Sequence, residues 1–165
     1  MKNKTDVAAA ACAAMFVAVL GVSAYWDPSI RALHVFESLP YLAAAILCLR
    51  RSKVGYALGV ASGLSWLWMA GLLTSFIRNG FGRLVILFRT GAVDRLDILI
   101  AVPAALATGG LVLFSVAGYA RLANKSWRDL ALLAGALLVV QAFFVLLFAA
   151  FAPRYLGMFQ RLWKS

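Results

Sequence analysis

Charge is what this sequence has least of. Only 13% of its 165 residues are Asp, Glu, Lys or Arg, against about 25% in an ordinary soluble domain. Acidic and imidazole side chains are scarcer still, with one glutamate, Glu37, and one histidine, His34. The five aspartates, Asp6, Asp27, Asp94, Asp97 and Asp129, all fall near the ends of apolar runs. A chain with a single Glu and a single His cannot build the paired Glu-x-x-His sites of di-iron bundles. A bis-histidine haem is likewise closed to a single copy, although one axial ligand is not. Two cysteines, Cys12 and Cys48, cannot complete a structural zinc site without other ligands. No metal and no cofactor is therefore expected. The sequence also lacks G-x-S-x-G, Walker A, G-x-G-x-x-G and H-E-x-x-H, which removes the common nucleophile, phosphate-loop and zinc-protease chemistries. Catalysis is disfavoured, and a lipid-modifying membrane enzyme ranks third among the functional readings.

What the chain has in quantity is apolar surface. Hydrophobic residues make up 64% of it and mean hydropathy is +0.91. Several runs approach or exceed the roughly 20 residues that cross a bilayer. They are continuous rather than alternating, which argues against a barrel. The expected fold is all-α, a polytopic transmembrane helical bundle forming one domain over 1–165. Five spans are expected, at about 7–26, 28–49, 54–77, 96–120 and 130–152, with short interfacial helices at 83–90 and 154–164. Four spans plus interfacial elements is the alternative. The location that follows is the cell membrane, and the lipid bilayer is the first partner.

The net charge of +10 does not point to nucleic acid. The Lys and Arg residues sit in short clusters between apolar runs, where they set topology and meet anionic headgroups. Five spans would leave eight cationic residues on each side, so orientation rests on the first helix and leans towards a cytoplasmic amino terminus.

The first run contains Val22-Ser23-Ala24, a small-residue pattern that would suit signal cleavage, but its near-spanning length favours an uncleaved span. Trp26-Asp27-Pro28 forms a corner, with Asp27 as helix cap and Pro28 in the first turn. The two cysteines fit buried thiols, and antiparallel spans would bring them near one membrane face. Gly55, Gly59 and Gly63 form a doubled G-x-x-x-G for helix packing, continued by Ser62, Trp66 and Ala70. Its partner is expected to be another helix of this chain before a second copy. Arg78-Asn79-Gly80 and Gly82 read as a helix stop. Pro40 and Pro103 are expected to kink their helices. Ser126 to Asp129 resembles a capping box with Asp in the usual Glu position. Asp94 and Asp97 read as helix-start groups pairing with Arg89 or Arg95.

The stretch 28–49 carries the chemistry. As a helix it is about 33 Å long and places Glu37 about 13 Å below its outer end, near the midplane. His34, Glu37, Ser38, Tyr41, Ala44, Ala45 and Cys48 share one face, with Leu33, Phe36, Leu39, Leu42, Ala43, Ile46 and Leu47 on the other. A charge at this depth costs about 2.5 to 3.5 kcal/mol on insertion scales and marks a functional candidate. Protonation, pairing with His34 or Arg31, or contact with Gln141, Ser62 or Thr108 on other spans would offset it. The candidate polar face is Arg31, His34, Glu37, Tyr41 and Gln141. The leading functional reading is a non-enzymatic packing or accessory subunit of a membrane assembly, with other subunits or a second copy as partners. The alternative is a small transporter or binder of a proton, ion or lipophile that uses Glu37 and His34.

Overall fold

The computed structural model describes residues 3–153. Among them the chain is all-helical, with α1 (Lys4–Trp26), α2 (Arg31–Leu49), α3 (Lys53–Trp68), α4 (Phe76–Thr90), α5 (Leu96–Leu99), α6 (Ala101–Ala120) and α7 (Arg128–Phe151). Five helical stretches are long and apolar enough to cross a membrane: Lys4–Trp26, Pro28–Leu49, Lys53–Leu73, Leu96–Ala120 and Arg128–Phe151. They alternate in direction. The amino terminus and residues 50–52 and 121–127 therefore lie at one end of the bundle, called here the near end. The 27–30 corner and residues 74–95 lie at the far end.

The contact between α3 and its neighbours sets the geometry. A Cβ on Gly55 would lie 2.5 Å from the Leu47 carbonyl carbon of α2. On Gly59 it would meet Ser115 Oγ at 2.4 Å, and on Gly63 Val112 Cγ2 at 2.6 Å, both on α6. The glycine stripe thus seats α3 between two helices of its own chain. In lipid such close approach matters because apolar side chains gain little by leaving one hydrocarbon phase for another. The stripe is reciprocated on α6, where Gly118 accommodates the Tyr56 ring.

The face of α2 expected to be polar is buried at Glu37, Tyr41, Ala44 and Cys48, while Val35, Phe36, Leu39, Leu42 and Ile46 are exposed. Leu33 departs from its expected outer placement. It is buried against the core cluster, because a turn earlier than Glu37 on the same face also points inward. On α7 only Val140, Phe144 and Leu147 are buried, a narrow inward stripe on an otherwise outward-facing helix.

Three boundaries differ from the sequence reading. The third span does not continue to Ile77. After Trp68 it widens into a π turn, Met69–Leu73, and stops at Thr74. The Thr74 hydroxyl donates to the Ala70 carbonyl at 3.0 Å and accepts from the Phe76 amide at 3.3 Å. These side-chain bonds compete with the helical ladder and redirect it. Gly80 and Gly82 do not stop a helix but lie inside α4. Gly80 is where α4 crosses the start of α6; its Cβ would fall 2.8 Å from that of Ala101. The stop comes at Gly91, whose φ of 70° gives the left-handed cap and whose amide bonds to Leu87 at 2.8 Å. The interfacial helix expected at 83–90 is thus the second half of a longer one, buried along Gly80 and half-buried at Phe76, Ile77, Arg83, Leu84 and Leu87. The fourth span is interrupted at Ile100, between α5 and α6. Pro103 lacks the amide that would have bonded to the Leu99 carbonyl four residues back. The helix at Pro40 is continuous. The interfacial helix expected at 154–164 lies outside the described residues.

The near end is tied by polar side chains. Lys53 Nζ lies 2.8 Å from Asp129 Oδ2, which also accepts from the Tyr119 hydroxyl at 2.8 Å and the Ser126 amide at 2.8 Å. The last bond is the reciprocal arm of the capping box, supplied by Asp129. One guanidinium nitrogen of Arg121 reaches Asn3 at 3.0 Å and Thr5 at 2.9 Å. Both cysteines are free thiols; Cys12 packs against Gly110.

A candidate ligand cavity at the far end

The corner after α1 builds the site. Asp27 Oδ1 accepts from the Ser29 amide at 3.0 Å and the Ser29 hydroxyl at 2.6 Å. With Pro28 this winds a 3-10 turn, Pro28–Ile30, that starts α2 antiparallel to α1. Positions at similar depth on the two helices then face each other. Ser23 Oγ lies 3.1 Å from His34 Nε2, and His34 Nδ1 lies 2.8 Å from Glu37 Oε2. A neutral imidazole with its proton on Nδ1 satisfies both contacts, donating to the carboxylate while the serine hydroxyl donates to Nε2. Glu37 is only 4% exposed.

The pair lies on the wall of an open-sided cavity of about 750 Å³ between α1, α2, the end of α3 and the start of α6, with Phe76 of α4 and Phe148 of α7 also lining it. Its walls are mainly apolar and aromatic, including Phe16, Trp66 and Phe76. The π turn contributes Met69, Ala70 and Leu73, so the irregular end of α3 faces the space rather than a packed seam. Such turns recur where a helix must make room for a ligand. Asp27, Thr74 and Asp97 line the far-end mouth. Asp97 accepts two hydrogen bonds from Arg95, at 2.9 and 2.7 Å. That contact pushes the Arg95 guanidinium above its ordinary range and keeps it charged. Asp94 pairs with Arg83 instead of Arg89 or Arg95.

Of the residues singled out on sequence, His34 and Glu37 share the cavity wall. Tyr41 stands one turn deeper, fully buried, with its hydroxyl on the Ser62 carbonyl at 3.0 Å and its ring centroid 4.3 Å from that of Phe16. Arg31 turns back to the Ala24 carbonyl at 3.4 Å. Gln141 is half-buried on α7, away from the wall. Thr108 satisfies itself on the Ala104 carbonyl of its own helix at 2.8 Å. Sequence reasoning missed Ser23, Asp27 and Asp97 as wall residues, having read them as a cleavage pattern and two caps. The available signal was the corner itself, which matches depths across α1 and α2.

A second buried carboxylate was also missed. Asp6, which the sequence places at the end of an apolar run, is 1% exposed. Its Oδ1 accepts from the Tyr56 hydroxyl at 2.7 Å, and Arg51 Nε approaches Oδ2 at 3.7 Å. It belongs to the near end, far from the cavity. Among the described residues, no group of three or more His, Cys, Asp or Glu side chains converges as a metal site would need.

No family model, curated protein or solved structure matches this chain. Five long apolar helices in one all-α bundle have the length and composition of a multi-pass integral membrane protein.

Proposed function

We propose that this protein holds a lipophilic small molecule inside its bundle, as a binder or carrier in the cell membrane, with the His34–Glu37 pair as polar anchor. The observation that carries this reading is a large, mainly apolar cavity whose wall includes a buried carboxylate. A ligand pocket of that size with few convergent polar groups is the usual form of a small-molecule site. An acidic group retained at such depth, at a cost to insertion, fits a functional role better than a packing one. The accessory-subunit reading drew on the Gly55, Gly59 and Gly63 stripe. That stripe is occupied by α2 and α6 of the same chain, so it offers no surface to a partner.

The test is photolabelling of the protein in nanodiscs with a diazirine-bearing alkyl alcohol, followed by peptide mapping. Labels should concentrate on cavity walls such as Leu33, Met69 and Leu73. Ala104→Phe, which fills the space, and Leu73→Trp, which narrows its mouth, should each suppress that labelling with the helical spectrum retained. Labelling confined to the outward face of α7, and indifferent to both variants, would sink the proposal.

A further inference from the structure

We propose that the ligand is a lipophilic amine, bound as the cation with its head on Glu37 and its hydrocarbon along the aromatic wall. This rests on the binding role proposed above and adds the sign of the ligand's charge. Among the described residues the wall includes no lysine or arginine; Arg95 meets the charge of Asp97 at its edge, so the assignment rests on Glu37. The Arg31 guanidinium turns away to the Ala24 carbonyl. The His34 contact occupies one oxygen of Glu37, Oε2, which leaves the other as acceptor for an ammonium proton. A hydrogen bond between an ionised acceptor and an ionised donor is about twice as strong as a neutral one. It also returns charge balance to a carboxylate held away from water. The indole of Trp66, held edge to face on the Phe16 ring with centroids 5.2 Å apart, offers π surface that attracts cations and repels anions. A fatty acid would place its carboxylate against Glu37. A fatty alcohol would fit but gain no charge pairing.

The experiment compares three ligands of equal chain length, dodecylamine, dodecanol and dodecanoic acid, as competitors of the photolabel in phosphatidylcholine nanodiscs. Dodecylamine should compete at least about tenfold better than dodecanol, with dodecanoic acid weakest. In Glu37→Gln, a folded variant by its helical spectrum and melting, the amine should lose that advantage while dodecanol competes as before. Asp97→Asn, at the mouth and exposed, should lower the amine preference only about threefold, because exposed charges contribute less. Equal competition by dodecanol and dodecylamine, or a preference that survives Glu37→Gln, overturns the amine assignment and leaves the binding role standing. Failure of all three to compete overturns both. Should Glu37→Gln fail to fold, Glu37→Asp carries the test. It keeps the carboxylate and must keep an amine preference; its loss with dodecanol competing as before overturns the assignment.

Discussion

The two ends of the bundle solve the same problem in opposite ways. Each must bring α3 against α2 and α6 and must keep one carboxylate out of water. At the near end Gly55, Gly59 and Gly118 let backbones and the Tyr56 ring meet without gaps, and Asp6 is sealed by Tyr56 and approached by Arg51. At the far end large side chains, Trp66, Met69 and Phe76, prop the helices apart around Glu37. A π turn, a 3-10 turn and the interruption at Ile100 cluster there. Small residues make a seam, and large ones at the same register make a space. The difference places stability at one end and adaptability at the other.

The largest effect should come from forcing the seam. In Gly55→Leu the new side chain meets Leu47 and Cys48 main chain at 2.5 to 2.6 Å, and main chain cannot swing aside. A loss of about 3 kcal/mol or more is expected, seen as a collapse of the melting temperature in detergent. Gly109→Ala is the control: nothing lies within 4 Å of its Cβ position. It should be neutral or stabilise by about 0.5 to 1 kcal/mol through helix propensity. Equal loss in both would mean that the seam does not discriminate.

Next comes the sealed carboxylate. Asp6→Ala strands the Tyr56 hydroxyl in a buried site and should cost about 2 to 4 kcal/mol. Tyr56→Phe leaves Asp6 without its hydrogen bond and should cost about 1 to 3 kcal/mol. Denaturant titration of both single variants and the double variant should give a coupling well above zero. Glu37→Gln at the far end should be milder, within about 1 kcal/mol, because a neutral amide also accepts from His34. If Glu37→Gln proves as damaging as Asp6→Ala, Glu37 is a clasp between helices and the contrast between the ends fails.

Much of this was legible beforehand, and the reasons are local. Long apolar runs with basic turns fix five helices by length alone. The G-x-x-x-G period names its contact face, and Asp27-Pro28 names its corner. Where the reading failed, tertiary contact overrode local preference. Gly80 reads as a breaker, yet α4 needs it to cross Ala101. Asp6 lies two residues into α1, and only the fold reveals that Tyr56, fifty residues on, covers it. The cavity was out of reach for a related reason. His34 and Glu37 declare themselves as adjacent turns, but the space beside them depends on how four helices diverge, and no sequence period encodes that.

The smallest expected effect isolates a single residue of the near-end turn. Arg51 adopts φ 57°, the one positive φ outside glycine among the described residues. A side chain there strains the backbone by about 1 kcal/mol. Its guanidinium compensates by approaching Asp6, but the side chain is 53% exposed and the contact is 3.7 Å, so solvent screens most of the attraction. Arg51→Ala and Arg51→Gly both remove the guanidinium, and they differ only in the backbone term. Glycine should therefore exceed alanine by about 1 kcal/mol, a shift of a few degrees in paired melting curves. Arg51→Gly itself should fall close to wild type, as relief of strain and loss of the contact offset each other. If alanine equals glycine, the left-handed turn is not what the near end imposes on residue 51, and the tightness inferred for that end must rest on the glycine seam alone.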